Sequence, residues 1–188
     1  MSVTEYWATL VSIIVGLGVA DLLVNFHRLI HDRKRVRWDP LPLLWALTTL
    51  LLLFNFWWAV AMNLDGSREA TVVGEFVLLA ISPILLFLMC ASVLPRAVPT
   101  EGQLDMRAEW TEGRRVFLLI FFIRQFCTGA TAVNASGAFL WDQAMIARVI
   151  IEVFVAAALF SGSRRIEWVA VLGVLAMMIW RISAQSVQ

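Results

Sequence analysis

The chain has 188 residues, of which 61% are hydrophobic and 15% charged, with a formal net charge of +1. A soluble domain is closer to half apolar and about a quarter charged. The composition therefore excludes an ordinary soluble domain, and the sparse, balanced charge gives no basis for nucleic-acid binding. Charged residues cluster in short segments between long apolar runs, the pattern of a chain threaded through a bilayer. The predicted fold class is all-α: one polytopic transmembrane helix bundle of about six spans, covering residues 1–188. The runs lie at residues 6–29, 41–62, 72–94, 116–135, 140–160 and 166–182, each near the ~20 residues that cross ~30 Å of hydrocarbon.

No Lys or Arg precedes the first run, and Arg33-Lys34-Arg35-Val36-Arg37 follows it. A signal peptide has the reverse order, so the small residues Gly18-Val19-Ala20 are read as part of a retained helix. Glu5, Thr9, Ser12 and Gly16 share one face, where small and hydroxyl residues favour close helix packing. Asp21, Asn25 and Arg28 share another at i, i+4, i+7. Asp21 is about 9 Å from the inner edge at 1.5 Å per residue. This inner-end polar cluster serves either for capping and snorkelling or as the inner mouth of a pathway. His27 and His31, one turn apart, are weak metal candidates. No His-Glu-x-x-His accompanies them and the other usual ligands are absent, so no metal is expected, and they read as solvated or headgroup-facing. The basic loop that follows attracts anionic lipid headgroups, at roughly 1 kcal/mol per charge.

The second run opens on Asp39-Pro40, an N-cap followed by proline in the first helical position. Thr48 and Asn55 lie on one face, with Asn55 placed to hydrogen-bond a neighbouring helix. In the third run Ser82-Pro83 sits mid-span. Proline removes a helical hydrogen bond and crowds the preceding turn, so Pro83 predicts a kink, static or a hinge. The longest connection, Pro95–Arg115, has 21 residues, with Leu104, Met106 and Trp110 interspersed among its charges. It reads as an ordinary loop or a short helix on the inner membrane surface.

Ionisable groups inside a span cost at least ~2.5–3.5 kcal/mol near the centre and face a partner or a cavity. Arg124 on the fourth run and Glu152 on the fifth lie about 13 and 15 Å from the inner and outer edges, and are expected to pair. Glu75 and Arg148 lie at a matching depth near the outer side, and Arg148 and Glu152 are i, i+4 neighbours. Arg124, Arg148, Glu152 and Glu75 thus form one candidate intramembrane charge network, either locking helix packing or carrying protons, ions or a charged ligand. Cys90 and Cys127 differ in depth by roughly 12 Å, too far for a disulfide, and are read as small buried hydrophobes. Asn134-Ala135-Ser136 matches the glycosylation sequon by a short and weakly informative pattern.

Orientation follows from the basic residues. Eleven fall in the first, third and fifth connections, against Arg68 and Arg181 on the other side. The basic side is cytoplasmic, which places both termini outside. Of the nine tryptophans, Trp7, Trp57, Trp58, Trp141 and Trp180 fall at the outer edge and Trp38 and Trp168 at the inner edge, where indoles favour the headgroup region.

Three stretches occur together: Val11-Ser12-Ile13-Ile14-Val15-Gly16-Leu17-Gly18; Leu43-Leu44-Trp45 leading to Phe56-Trp57-Trp58; and Leu104-Asp105-Met106-Arg107 leading to Arg114-Arg115-Val116-Phe117. This pattern resembles a group of uncharacterised small bacterial multi-pass inner-membrane proteins, over roughly the first two thirds of the chain. The resemblance implies a bacterial inner membrane and brings no activity, cofactor or site. The expected role is a structural, sensory or accessory membrane subunit. The alternative is an oligomeric ion, proton or small-solute transporter or channel using the intramembrane charges. An enzyme is disfavoured, because no span carries a His-based dyad or metal cluster. No cofactor is implied. Expected partners are the lipid bilayer and either further copies of the chain or another membrane protein, with no nucleic acid.

Overall fold

A computed structural model describes residues 3–62, 73–99, 101–136 and 143–185. Side chains are not described for residues 3–5, 62, 73–79, 134–136, 144 and 181–185. Six helices follow one another among the described residues: α1 (Val3–His31), α2 (Pro40–Met62), α3 (Val73–Val93), α4 (Met106–Ser136), α5 (Gln143–Ser161) and α6 (Arg164–Gln185). Each covers all or most of one of the apolar runs. Three are long and apolar enough to cross a membrane, over Tyr6–His31, Pro40–Ala61 and Met106–Val133. Helices suit that setting because every interior backbone N–H and C=O is satisfied within the segment.

Helix contacts close into a ring in the order α1, α3, α4, α5, α6, α2 and back to α1. The second helix also touches α3 and α4, so it leans toward the ring's interior. Trp45 of α2 is fully buried there. Its ring meets Phe117 and Phe121 of α4 edge-on, with centroids 5.6 and 5.8 Å apart. Edge-on aromatic pairs at this spacing add about 0.5–1.5 kcal/mol each beyond simple contact.

The connection Pro95–Arg115 is a loop only in its first part. A two-residue strand β1 (Val36–Arg37) pairs in parallel with β2 (Leu104–Asp105), Val36 opposite Leu104 and Arg37 opposite Asp105. Helix α4 then starts at Met106, ten residues before the apolar run. Asp105 starts it: its Oδ1 accepts from the backbone N–H of Arg107 at 2.9 Å and of Ala108 at 3.2 Å, satisfying donors that the first turn leaves free. Leu104, Met106 and Trp110, expected at a membrane surface, are buried in the core. Apart from Arg114, which is buried, the arginines and glutamates of this segment are exposed around them, and that is what disguised the helix.

The close-packed face of α1 also differs from the expectation. Gly16 has open space where a Cβ would stand, whereas Gly18 lies against Cys90 Sγ and Leu53 of the neighbouring helices. Ser12 is exposed and accepts a hydrogen bond from Trp57 Nε1 at 3.3 Å. The side chain of Glu5 lies outside the described residues. Helix α3 runs unbroken through Pro83, which is buried.

Candidate functional site: an ion-paired end of the bundle

The first turns of α2, α4 and α6 meet at one end of the bundle. Asp39 caps α2 as the sequence predicts, its Oδ1 accepting from Leu41 N at 3.2 Å. It does more than cap. Both carboxylate oxygens also accept from Nη2 of Arg164, each at 2.6 Å. Asp39 is only 4% exposed, and Arg164 is the first residue of α6. A cation at a helix N-terminus is unfavourable beside the positive end of the macrodipole. The Asp39 carboxylate offsets it, and ties together two helices 125 residues apart in sequence.

One turn into α6, Glu167 is 3% exposed. Its Oε1 contacts Nη1 of Arg114, and its Oε2 accepts from the Trp110 indole N–H at 3.0 Å. Trp110 and Arg114 are i, i+4 on α4 and so present one face to α6. Gly162, in the turn between α5 and α6, has φ +64°, and a Cβ there would stand 3.4 Å from Arg114 Nη2. Glycine is the residue that adopts this left-handed turn without strain. Trp110 in turn packs on Phe117, centroids 5.4 Å apart, so the ion pair rests on the aromatic cluster beneath Trp45.

Buried ion pairs of this kind gain little over apolar packing when intact. Removing one partner is costly, at about 3–5 kcal/mol, because the other charge is stranded. They therefore specify how α2, α4 and α6 assemble more than how stable the assembly is.

Around this centre the connecting segments are sewn together. Arg28 Nη1 donates to the Arg96 carbonyl at 3.1 Å, and Arg35 Nη2 donates to the Pro99 carbonyl. Arg37 and Asp105 form an exposed pair at 3.4 Å. Beside them is a cleft of about 300 Å³ lined by residues including Pro42, Val93, Arg96, Met106, Glu109 and Trp110.

The residues singled out in the sequence are distributed as follows. Asn25 is buried and donates to Asp21 Oδ2 at 3.2 Å, while Arg28, the third member of that cluster, reaches Arg96 instead. Arg124 is 6% exposed and donates from Nη1 to Gln125 Oε1 at 2.6 Å. Glu152 is half-buried, and its Oε1 is enclosed with no hydrogen-bond partner among the described residues. Arg148 is half-buried one turn before it. The side chains of Glu75, Asn134 and Arg181, and the whole of Arg68 and Trp141, lie outside the described residues. His27 and His31 are exposed, with ring centroids 6.4 Å apart. No group of three or more His, Cys, Asp or Glu is placed to hold a metal among the described residues. Thr48 is buried and bonds back to the Leu44 carbonyl at 2.8 Å. Cys90 and Cys127 are free thiols.

Sequence reasoning missed Arg114, Arg164 and Glu167 as site residues. Both arginines counted there as topology signals. The signal available was the spacing Met106, Trp110, Arg114, Phe117, Phe121, one helical face with an arginine in its middle. No family model, no curated protein and no solved structure matches the chain.

Proposed function

We propose that the protein is a multi-pass subunit of the bacterial inner membrane, with six spans, both termini outside, and a structural or accessory role beside another membrane protein or further copies of itself. Apolar side chains exposed on all six helices support the six spans. Beyond the three longest, α5 exposes Val153 and Phe160, α6 exposes Val169, Leu172 and Ile179, and α3 exposes Ile84 and Leu88. The resemblance to small bacterial inner-membrane proteins supports the location. The observation that carries the role is the matching of buried charge at the inner end: Asp39 with Arg164, and Glu167 with Arg114 and Trp110. Charges matched to one another in this way favour a role in fixing helix assembly over one in handling a solute.

The test is chemical cross-linking in native membranes, followed by affinity capture and identification of what is attached. A stoichiometric partner, or a defined homo-oligomer, is the expected result. A monomeric, unattached species would count against an accessory role. Orientation is checked separately with single cysteines and a membrane-impermeant maleimide. Lys34→Cys should react only after permeabilisation, and Gly66→Cys in intact cells.

A second reading has one specific observation in its favour. The enclosed, unpartnered oxygen of Glu152 suits a transport role, because intramembrane carboxylates face partners or pathways. Proton flux into proteoliposomes that is lost in Glu152→Gln, with the fold intact, would favour transport over the accessory role.

A further inference from the structure

The cleft at the inner end has a charge pattern that the ion-paired centre does not use. Arg96 and Glu109 both line it, and no ion pair joins them among the described residues. Arg96 is held by its Nε, which donates to the Ala91 carbonyl at 3.2 Å. That anchor aims the guanidinium and leaves its two Nη groups outside the bond. The carboxylate of Glu109 enters no hydrogen bond or ion pair among the described residues. One cation and one anion therefore border the same cavity, apart from each other. The end of α3 supplies Val93 to the wall, and Leu94 follows it there; a helix C-terminus favours positive charge nearby. The rest of the lining includes Pro42, Pro95, Met106, Ser92, whose hydroxyl donates to the Leu88 carbonyl at 2.8 Å, and Trp110, whose indole N–H is already given to Glu167. A volume of about 300 Å³ corresponds to roughly ten waters.

We propose that this cleft binds the headgroup of a zwitterionic aminophospholipid, with the phosphodiester on Arg96 and the primary ammonium on Glu109. The inference rests on the six-span reading, which puts the end of α3 and the first turns of α4 at the cytoplasmic headgroup layer. A phosphate suits the planar donor fork of arginine. A primary ammonium offers three N–H donors to a carboxylate and to helix-end carbonyls. The same chemistry is carried by soluble glycerophosphoethanolamine. The apolar part of the lining favours the lipid, whose glycerol and first methylenes would lie against half-buried Pro95.

The experiment is native mass spectrometry of the full chain in detergent, with phosphatidylethanolamine, phosphatidylglycerol and phosphatidylcholine of identical acyl chains. Fractionation of the expressed protein with membranes is scored first, so failure of the membrane reading is seen separately from failure of this one. Wild type should retain phosphatidylethanolamine best. Phosphatidylcholine keeps both charges but has no ammonium N–H, and phosphatidylglycerol has no cation. Glu109→Gln should lower phosphatidylethanolamine retention about tenfold, the scale of one charge-assisted hydrogen bond, and leave phosphatidylglycerol unchanged. Arg96→Gln should weaken all three. Because Arg96 also closes the end of α3, Glu109→Lys is the second variant; it should reverse the preference toward phosphatidylglycerol. Equal retention of the three lipids by wild type, or no change in Glu109→Gln, would overturn the proposal. Displacement of the lipid by glycerophosphoethanolamine at equal concentration would overturn the lipid as the source.

Discussion

Removing the charge of Glu167 strands Arg114. The Arg114 side chain is 9% exposed and the Glu167 side chain 3%, so neither gains much hydration when its partner is lost. Glu167→Gln keeps an acceptor for the Trp110 indole but leaves the guanidinium without its counter-charge. The expected loss is about 3–5 kcal/mol, the usual cost of breaking one side of a buried pair. Arg114→Met strands the carboxylate instead and should cost a similar amount. The combination Arg114→Met with Glu167→Leu removes both charges and fills the space with apolar atoms. That exchange is often neutral, but Trp110 Nε1 loses its acceptor, which costs about 1–3 kcal/mol. The double variant should therefore be more stable than either single one. Adding Trp110→Phe should bring it closer still to wild type. Unfolding of wild type, Arg114→Met, Glu167→Leu and the double variant by SDS titration from mixed micelles, followed by circular dichroism, gives the four free energies of the cycle. The coupling between Arg114 and Glu167 should exceed about 2 kcal/mol, within the range for residues in one network. Two single variants each within about 0.5 kcal/mol of wild type would refute the argument, since an exposed or open pair behaves that way.

Three further outcomes follow from the same geometry. Asp39→Ala removes the cap of α2 and the partner of Arg164 together. It should cost about 3–5 kcal/mol by the same assay, while Arg37→Ala, which breaks only the exposed pair with Asp105, should stay below about 1 kcal/mol. At Gly173 a Cβ would stand 2.7 Å from the Phe154 ring across the α5–α6 crossing, so Gly173→Ala should destabilise by about 1–3 kcal/mol. Gly129 has open space at the same position. Gly129→Ala should be neutral or stabilise by up to about 1 kcal/mol through helix propensity.

The helices were legible because their signal is local. A run of apolar residues long enough to span, stopped by Asp39-Pro40 or by Pro95, announces itself within a window of twenty residues. The fourth was cut short the most, by ten residues at its start. There Arg107, Glu109, Glu112, Arg114 and Arg115 raised the local polarity, while the face that matters, Met106, Trp110 and Phe117, recurs at helical spacing and is buried. Asp39 was legible as a cap, since that function depends on its own neighbours. Its second function depends on Arg164, 125 residues away, and no periodicity carries that information. Arginines near span ends look alike in sequence whether they snorkel, orient the chain or enter a buried pair. Arg28, Arg114 and Arg164 do not act alike here: one reaches a carbonyl, two face buried carboxylates. The same limit applies within the helices. Depth placed Arg124 and Glu152 at a similar level, but rotation about the helix axis decides which groups meet, and no spacing announced the hydrogen bond from Arg124 to its own neighbour Gln125.

The most direct test of the account is an experimental structure of the protein in lipid nanodiscs, measured at the carboxylates of Asp39 and Glu167. The account predicts Asp39 within hydrogen-bond reach of Arg164, near the 2.6 Å seen here. It also predicts Glu167 held between Arg114 and Trp110, with no water-filled route passing between α2, α4 and α6. Carboxylates standing more than about 4 Å from their arginines in a hydrated opening would contradict it, and would make this end of the bundle a passage.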